Sequence, residues 1–134
     1  MSAPNVPPKE YVELEMVNQR LTEITQSMQL AEQQLEQASV ALSVIKELKD
    51  SKNDQELLVP VGNGVFFTVQ RQAVGNIKVA VGAGVVVDKS AEDAQKFVSE
   101  QLKEIETYYQ SLVQAYEQTV VKAQELQSQI EKSM

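Results

Sequence analysis

The stretch Val59-Pro-Val-Gly-Asn-Gly-Val-Phe-Phe67 recurs twenty residues further on as Val79-Ala-Val-Gly-Ala-Gly-Val-Val-Val87. Each copy reads as strand, Gly-x-Gly turn, strand. Glycine supplies the positive φ that a tight hairpin needs, and Asn63-Gly64 is a favoured turn pair. Gly75-Asn76 is expected to turn the chain between the two hairpins. Side chains alternate with period two across the whole insert. Leu57, Val59, Val61, Val65, Phe67, Val69, Ile77, Val79, Val81, Val85 and Val87 share one face, and all are apolar. The other face mixes Leu58, Pro60, Phe66, Thr68, Gln70, Lys78, Ala80, Val86 and Asp88. One face must therefore be buried. The glycines do not read as a phosphate cradle, because that needs a helix N-terminus immediately after them and here a β-branched strand follows.

Outward from the repeat, the punctuation stops. All five glycines lie between Gly62 and Gly84, and three of the four prolines sit in a leader at Pro4, Pro7 and Pro8. Two long uninterrupted segments therefore flank the insert. In the first, Leu14, Val17, Leu21, Ile24, Met28, Ala31, Leu35, Ala38, Leu42 and Ile45 recur at alternating spacings of three and four. That is a heptad seam, narrower than the stripe of a globular helix. In the second, Ser90 suits an N-cap, with Glu92 and Asp93 in the first turn. Its seam reads Val98, Leu102, Ile105, Tyr109, Leu112, Tyr116, Thr119, Ala123, Leu126 and Ile130, with Thr119 as the single polar member. Each seam is about 48 Å long at 1.5 Å per residue. Placed antiparallel, Ile45 meets Val98 and Leu14 meets Ile130, and small residues face large ones: Ala38 with Ile105, Ala31 with Leu112, Ala123 with Leu21. Matched lengths and a short connection favour pairing within one chain; the alternative is that each helix pairs with another chain. The expected class is α+β: a long antiparallel two-helix coiled coil with two central β-hairpins that form part of an intersubunit β-barrel. The expected organisation is a single domain over 1–134, with helices at 9–50 and 90–133 and hairpins at 57–88.

Composition excludes much chemistry. The 134 residues include no Cys and no His, so thiol nucleophiles, Ser-His-Asp triads and His or Cys zinc sites are out of reach. Paired carboxylates such as Glu13 and Glu15, or Glu104 and Glu106, read as solvated helix faces with no concave site to shift them. Tyr109 and Tyr116 read as seam packing, with Tyr108 flanking it. No catalytic residue, metal site or cofactor is expected. A net charge of −7 repels phosphate backbones, so nucleic acid is not an expected partner. No apolar run is long enough to span a membrane. The leader lacks the apolar stretch of a signal peptide, so a soluble intracellular protein is expected.

Two surfaces are left for function. Each helix spends its stripe on the seam, so neither has an apolar face to spare for the sheet. Val59, Val61, Val65, Phe67, Val79, Val81, Val85 and Val87 are therefore the expected oligomerisation surface. At the coiled-coil ends, Tyr11, Leu14, Val17, Leu126, Ile130 and Met134 can expose apolar area if the last turns fray, with Val12 and Met16 beside them. Exposed apolar groups with flexible methionine suit varied nonpolar partners.

The order helix, paired hairpins, helix, with Leu57-Leu-Val-Pro-Val-Gly-Asn-Gly64 and Val79-Ala-Val-Gly-Ala-Gly-Val-Val-Val-Asp-Lys-Ser90, resembles an alpha-class prefoldin subunit over nearly the whole chain. Two hairpins rather than one point to the alpha class. The resemblance implies a hexamer of two alpha and four beta-type subunits, with the hairpins in a double β-barrel body. It also implies coiled-coil tips that hold non-native polypeptide without ATP and pass it to a group II chaperonin in the cytoplasm. The small size resembles an archaeal subunit. The competing readings are a structural coiled-coil adaptor and a filament-forming scaffold, neither of which captures clients.

Overall fold

The computed structural model describes residues 9–51, 54–71 and 77–133. The proline leader, the expected Gly75-Asn76 turn and Met134 lie outside them. In chain order come helix α1 (Lys9–Asp50), strands β1 (Glu56–Gly62), β2 (Val65–Gln70), β3 (Ile77–Gly82) and β4 (Val85–Lys89), and helix α2 (Ala91–Lys132). The residues gather into two compact units: the chain up to Gln34 with that from Ile105 onward, and Leu35–Glu104.

The first unit is seam. Ile24, Ala31, Leu126 and Ile130 are buried, and Leu14, Val17, Leu21, Met28, Tyr109, Leu112 and Ala123 are half-buried. Removing one such side chain from water is worth about 1.5–3 kcal/mol when complete. Thr119, the polar member, is also buried; its hydroxyl donates to the Ala115 carbonyl at 2.6 Å, so no donor is left unpaired in the seam. Tyr116 departs from its expected place in the core and stays 39% exposed. Val113 and Val120, outside the heptad positions, are half-buried instead and widen the α2 stripe. The Tyr109 hydroxyl donates to Glu32 Oε1 at 2.8 Å, tying α2 to α1 beside the seam. That hydrogen bond, with desolvation and the Glu32 charge adding to it, pushes the phenol pKa above its ordinary value.

In the second unit Ile45, Ala94 and Val98 form a buried cluster, with Ala38, Leu42, Phe97, Ile77 and Val79 packed against it. Ile45 and Val98 thus meet, as the antiparallel register requires. The same cluster corrects the expectation that neither helix has apolar surface to spare for the sheet. Ala94 lies off the expected seam, at the start of α2, and with Ile45 and Val98 forms the patch against which Ile77, Val79 and Phe97 pack. Lys89 Nζ lies 5.6 Å from the centre of the Phe97 ring, a cation–π contact that screens its outer side. The Ser90 hydroxyl accepts the Asp93 N–H at 3.1 Å, the cap read from the sequence. Lys49 approaches Glu92 at 3.9 Å, an exposed pair of little energetic weight.

The hairpins are two separate two-stranded antiparallel sheets, β1–β2 and β3–β4. Leu57 pairs with Val69, Val59 with Phe67, and Val79 with Val87, so the expected apolar face is a single face in each. Both copies slip register at the same place, before Gly62 and before Gly82, leaving Val61 and Val81 without a ladder partner as bulged residues. The turns are matched as well. Asn63 and Gly64 have φ of 53° and 73°, Ala83 and Gly84 of 52° and 74°. Positive φ at both central positions is the type I′ turn that follows strand twist. Asn adopts it readily, whereas an alanine Cβ costs roughly 1–2 kcal/mol there.

Ala83→Asn should therefore raise stability by about 0.5–1 kcal/mol, and Asn63→Ala should lower it by a similar amount. Chemical denaturation of both variants checks this; two neutral results would remove the strain argument. The Tyr109–Glu32 bond sets a second expectation. Because the folded phenol pKa is raised, its contribution is fully present below the ordinary pKa and fades as pH climbs through the folded value. The stability advantage of the native chain over Tyr109→Phe should shrink on that alkaline side. Glu32→Gln should bring the phenol's ultraviolet titration back toward the ordinary range.

Candidate functional site

Among the described residues, exposed apolar side chains lie at both places expected from the sequence, and each place belongs to one unit. The first is on the hairpins. Val61, Val65, Phe67, Val81 and Val85 are all exposed, Phe67 most of all at 60%. Val59, Val79 and Val87 are half-buried. The division follows distance along the strands. Near the strand ends closest to the helices, Leu57 is buried and Ile77 and Val79 find the Ile45 cluster. Toward the turns nothing in the described chain covers the same face. A two-stranded sheet with a bare apolar face is marginal in water. The eight residues expected at an oligomerisation surface divide between the two hairpins, four on each, and five of them are exposed.

The second surface is on the first unit. Tyr11 is 45% and Met16 65% exposed, with Val12 exposed between them. Leu14 and Val17 are half-buried, and Leu126 and Ile130 are buried in the seam, Leu126 to 2%. Of the tip residues expected from the sequence, Tyr11 is open as the chain stands. Leu126 and Ile130 become available only if the last turns separate. Met134 lies outside the described residues. Val12 and Met16 carry more of the open surface than the seam residues do. Their signal in the sequence is a spacing of four that falls off the heptad positions, so the pair projects beside the seam instead of into it.

The polar surface offers little chemistry. Among the described residues no three His, Cys, Asp or Glu side chains come together to hold a metal ion. Tyr108 is exposed, and Tyr109 is held by Glu32. Gly62-Asn63-Gly64 and Gly82-Ala83-Gly84 form hairpin turns, each leading into a strand. No helix among the described residues is long and apolar enough to cross a membrane.

The model of the prefoldin subunit family matches residues 17–133. The chain is 26% identical over 128 residues to prefoldin subunit alpha of Methanoculleus marisnigri, covering 92% of this chain and 85% of that protein. It is 28% identical over 123 residues to prefoldin subunit alpha of Pyrococcus horikoshii, covering 92% and 74%. Two solved structures share the fold. The prefoldin beta subunit from Thermococcus strain KS-1 gives a TM-score of 0.60 at 19% identity, covering 98% of this chain and 96% of that one. Filamentous PFD from Methanocaldococcus jannaschii gives 0.51 at 20% identity, covering 90% and 93%. With two hairpins between two heptad helices, and a family match that runs from the first helix to the end of the second, the chain belongs to the prefoldin family of non-enzymatic chaperones, as an alpha-class subunit.

Proposed function

We propose that this subunit works in an ATP-independent holdase, assembled from two alpha-class and four beta-type chains in the cytoplasm. In this reading it captures non-native polypeptides at its coiled-coil tips and delivers them to a group II chaperonin. The observation that carries the reading is the exposed cluster of Tyr11, Val12 and Met16 on α1. These side chains are open without any seam residue having to leave its place. Leu14, Val17, Leu126 and Ile130 form a reserve that fraying of the last turns exposes as a client spreads. A half-exposed apolar side chain contributes only part of the 1.5–3 kcal/mol of full burial, so one tip binds weakly. Several tips on one client act through effective concentration. Prefoldins form complexes with beta-type subunits, and the bare hairpin face supports assembly through Val61, Val65, Phe67, Val81 and Val85.

An adaptor or filament-forming scaffold would use the hairpin face equally and leave the tips idle. Changing Tyr11, Val12 and Met16 together to Gln, a good helix former, separates the readings. The complex with a beta-type subunit should form as before, but the concentration needed to suppress aggregation of an unfolded client should rise at least about tenfold. Unchanged protection would exclude capture by this cluster. For the other surface, Val81→Asp should yield a helical species too small to be the full complex on a sizing column. A buried unpaired charge costs several kcal/mol, and an undiminished complex would show that Val81 is not buried on assembly.

A further inference from the structure

The chain's charge is not shared evenly between its two units. The first unit, residues 1–34 with 105–134, carries four basic and nine acidic side chains, a net of −5. The second, residues 35–104, carries eight basic and ten acidic, a net of −2. The two are of similar length, so size does not account for the difference. The unit that bears the open cluster of Tyr11, Val12 and Met16 is therefore also the one that holds most of the chain's net charge of −7.

The carboxylates reach the cluster itself. Glu10, Glu13 and Glu15 are interleaved with Tyr11, Val12 and Met16 along α1. Glu15 is exposed and lies four residues on from Tyr11 and three on from Val12, the spacing that sets helical side chains next to each other. Lys9 is the one cation of this stretch, and its ammonium is already 3.7 Å from Glu13 Oε1. Arg20 follows four residues after Met16, with Glu23 three further on. Residues 9–23 of α1 thus hold four acidic and two basic side chains, and residues 117–132 of α2 three and two. An apolar patch among carboxylates attracts an apolar segment that brings its own cations and repels one that brings anions. Each exposed pair is screened within about 8 Å at physiological ionic strength, so the carboxylates nearest the cluster decide the effect. We propose that the capture cluster selects among non-native polypeptides by charge, favouring segments whose apolar residues lie between lysines or arginines. This rests on the capture proposed above at Tyr11, Val12 and Met16, and names the client chemistry that site prefers.

The test uses the complex with a beta-type subunit, in which this chain alone is methyl-labelled at Met and Val for NMR. The probes are acetyl-Lys-Lys-Leu-Val-Phe-Leu-Lys-Lys-amide and its counterparts with Gln or Glu for every Lys. At low salt the lysine peptide should shift the Val12 and Met16 methyl signals at about fivefold lower concentration than the glutamine peptide, and the glutamate peptide should need more than either. Salt at about 0.5 M should bring the three together. Glu10→Gln, Glu13→Gln and Glu15→Gln combined should do the same at low salt, with helicity and assembly unchanged. Three equal affinities at low salt would overturn selection by charge while leaving apolar capture in place. A preference that survives the triple variant would also overturn it, since the selecting charge would then lie away from the cluster. If no peptide moves those signals at millimolar concentration, the capture reading fails and the proposal falls with it.

Discussion

Two helices of 42 residues each, paired along a heptad stripe, can remove only one narrow face apiece from water. Everything else in this chain answers to that limit. Within the first unit the seam buries Ile24, Ala31, Leu126 and Ile130, with Ala31 1% exposed and Leu126 the largest fully buried side chain among the described residues. Thr119 is admitted because its hydroxyl is satisfied by its own helix. Tyr109 is admitted because its ring packs while its hydroxyl reaches Glu32 at the edge.

The hairpins face the complementary problem. Their type I′ turns and matched bulges make two well-defined ribbons, but two strands cannot enclose a core. The helices help only at the strand ends, where Ala94, with Ile45 and Val98, forms the patch against which Ile77 and Val79 pack. Beyond that point, Val81, Val85, Val61, Val65 and Phe67 face water in the isolated chain. An exposed valine-rich face of this kind is an interaction surface by its chemistry. The prefoldin family forms complexes with beta-type subunits.

Much of this was legible in residue order because the signals are periodic. The heptads of both helices, the Ser90 cap and the repeated Gly-x-Gly turns are local properties, decided within a few residues by backbone sterics and side-chain spacing. So was the lack of Cys and His, which removes thiol nucleophiles and Ser-His-Asp triads. Features that depend on distant residues meeting were not legible. Ala94 was passed over because it extends the seam in steps of four, outside the strict heptad. Tyr116 was assigned to the core by spacing alone, yet it stays exposed while Val113 and Val120 are half-buried. The tip residues divide in the same way: spacing placed Leu126 and Ile130 at an end, while packing decides that they are closed and Met16 is open.

The sequence by itself determined the elements, their antiparallel seams, the single apolar face of each hairpin and the chemistry the chain cannot do, because periodicity and composition act locally. The tertiary structure alone decided which part of each apolar face is covered. It lays Ile77 and Val79 on the Ile45 cluster and leaves Val81 and Val85 bare. The physical reason is that burial is a property of pairs of surfaces, and residues as far apart in the chain as Ile45 and Val79 reveal their contact only once the backbone between them has turned.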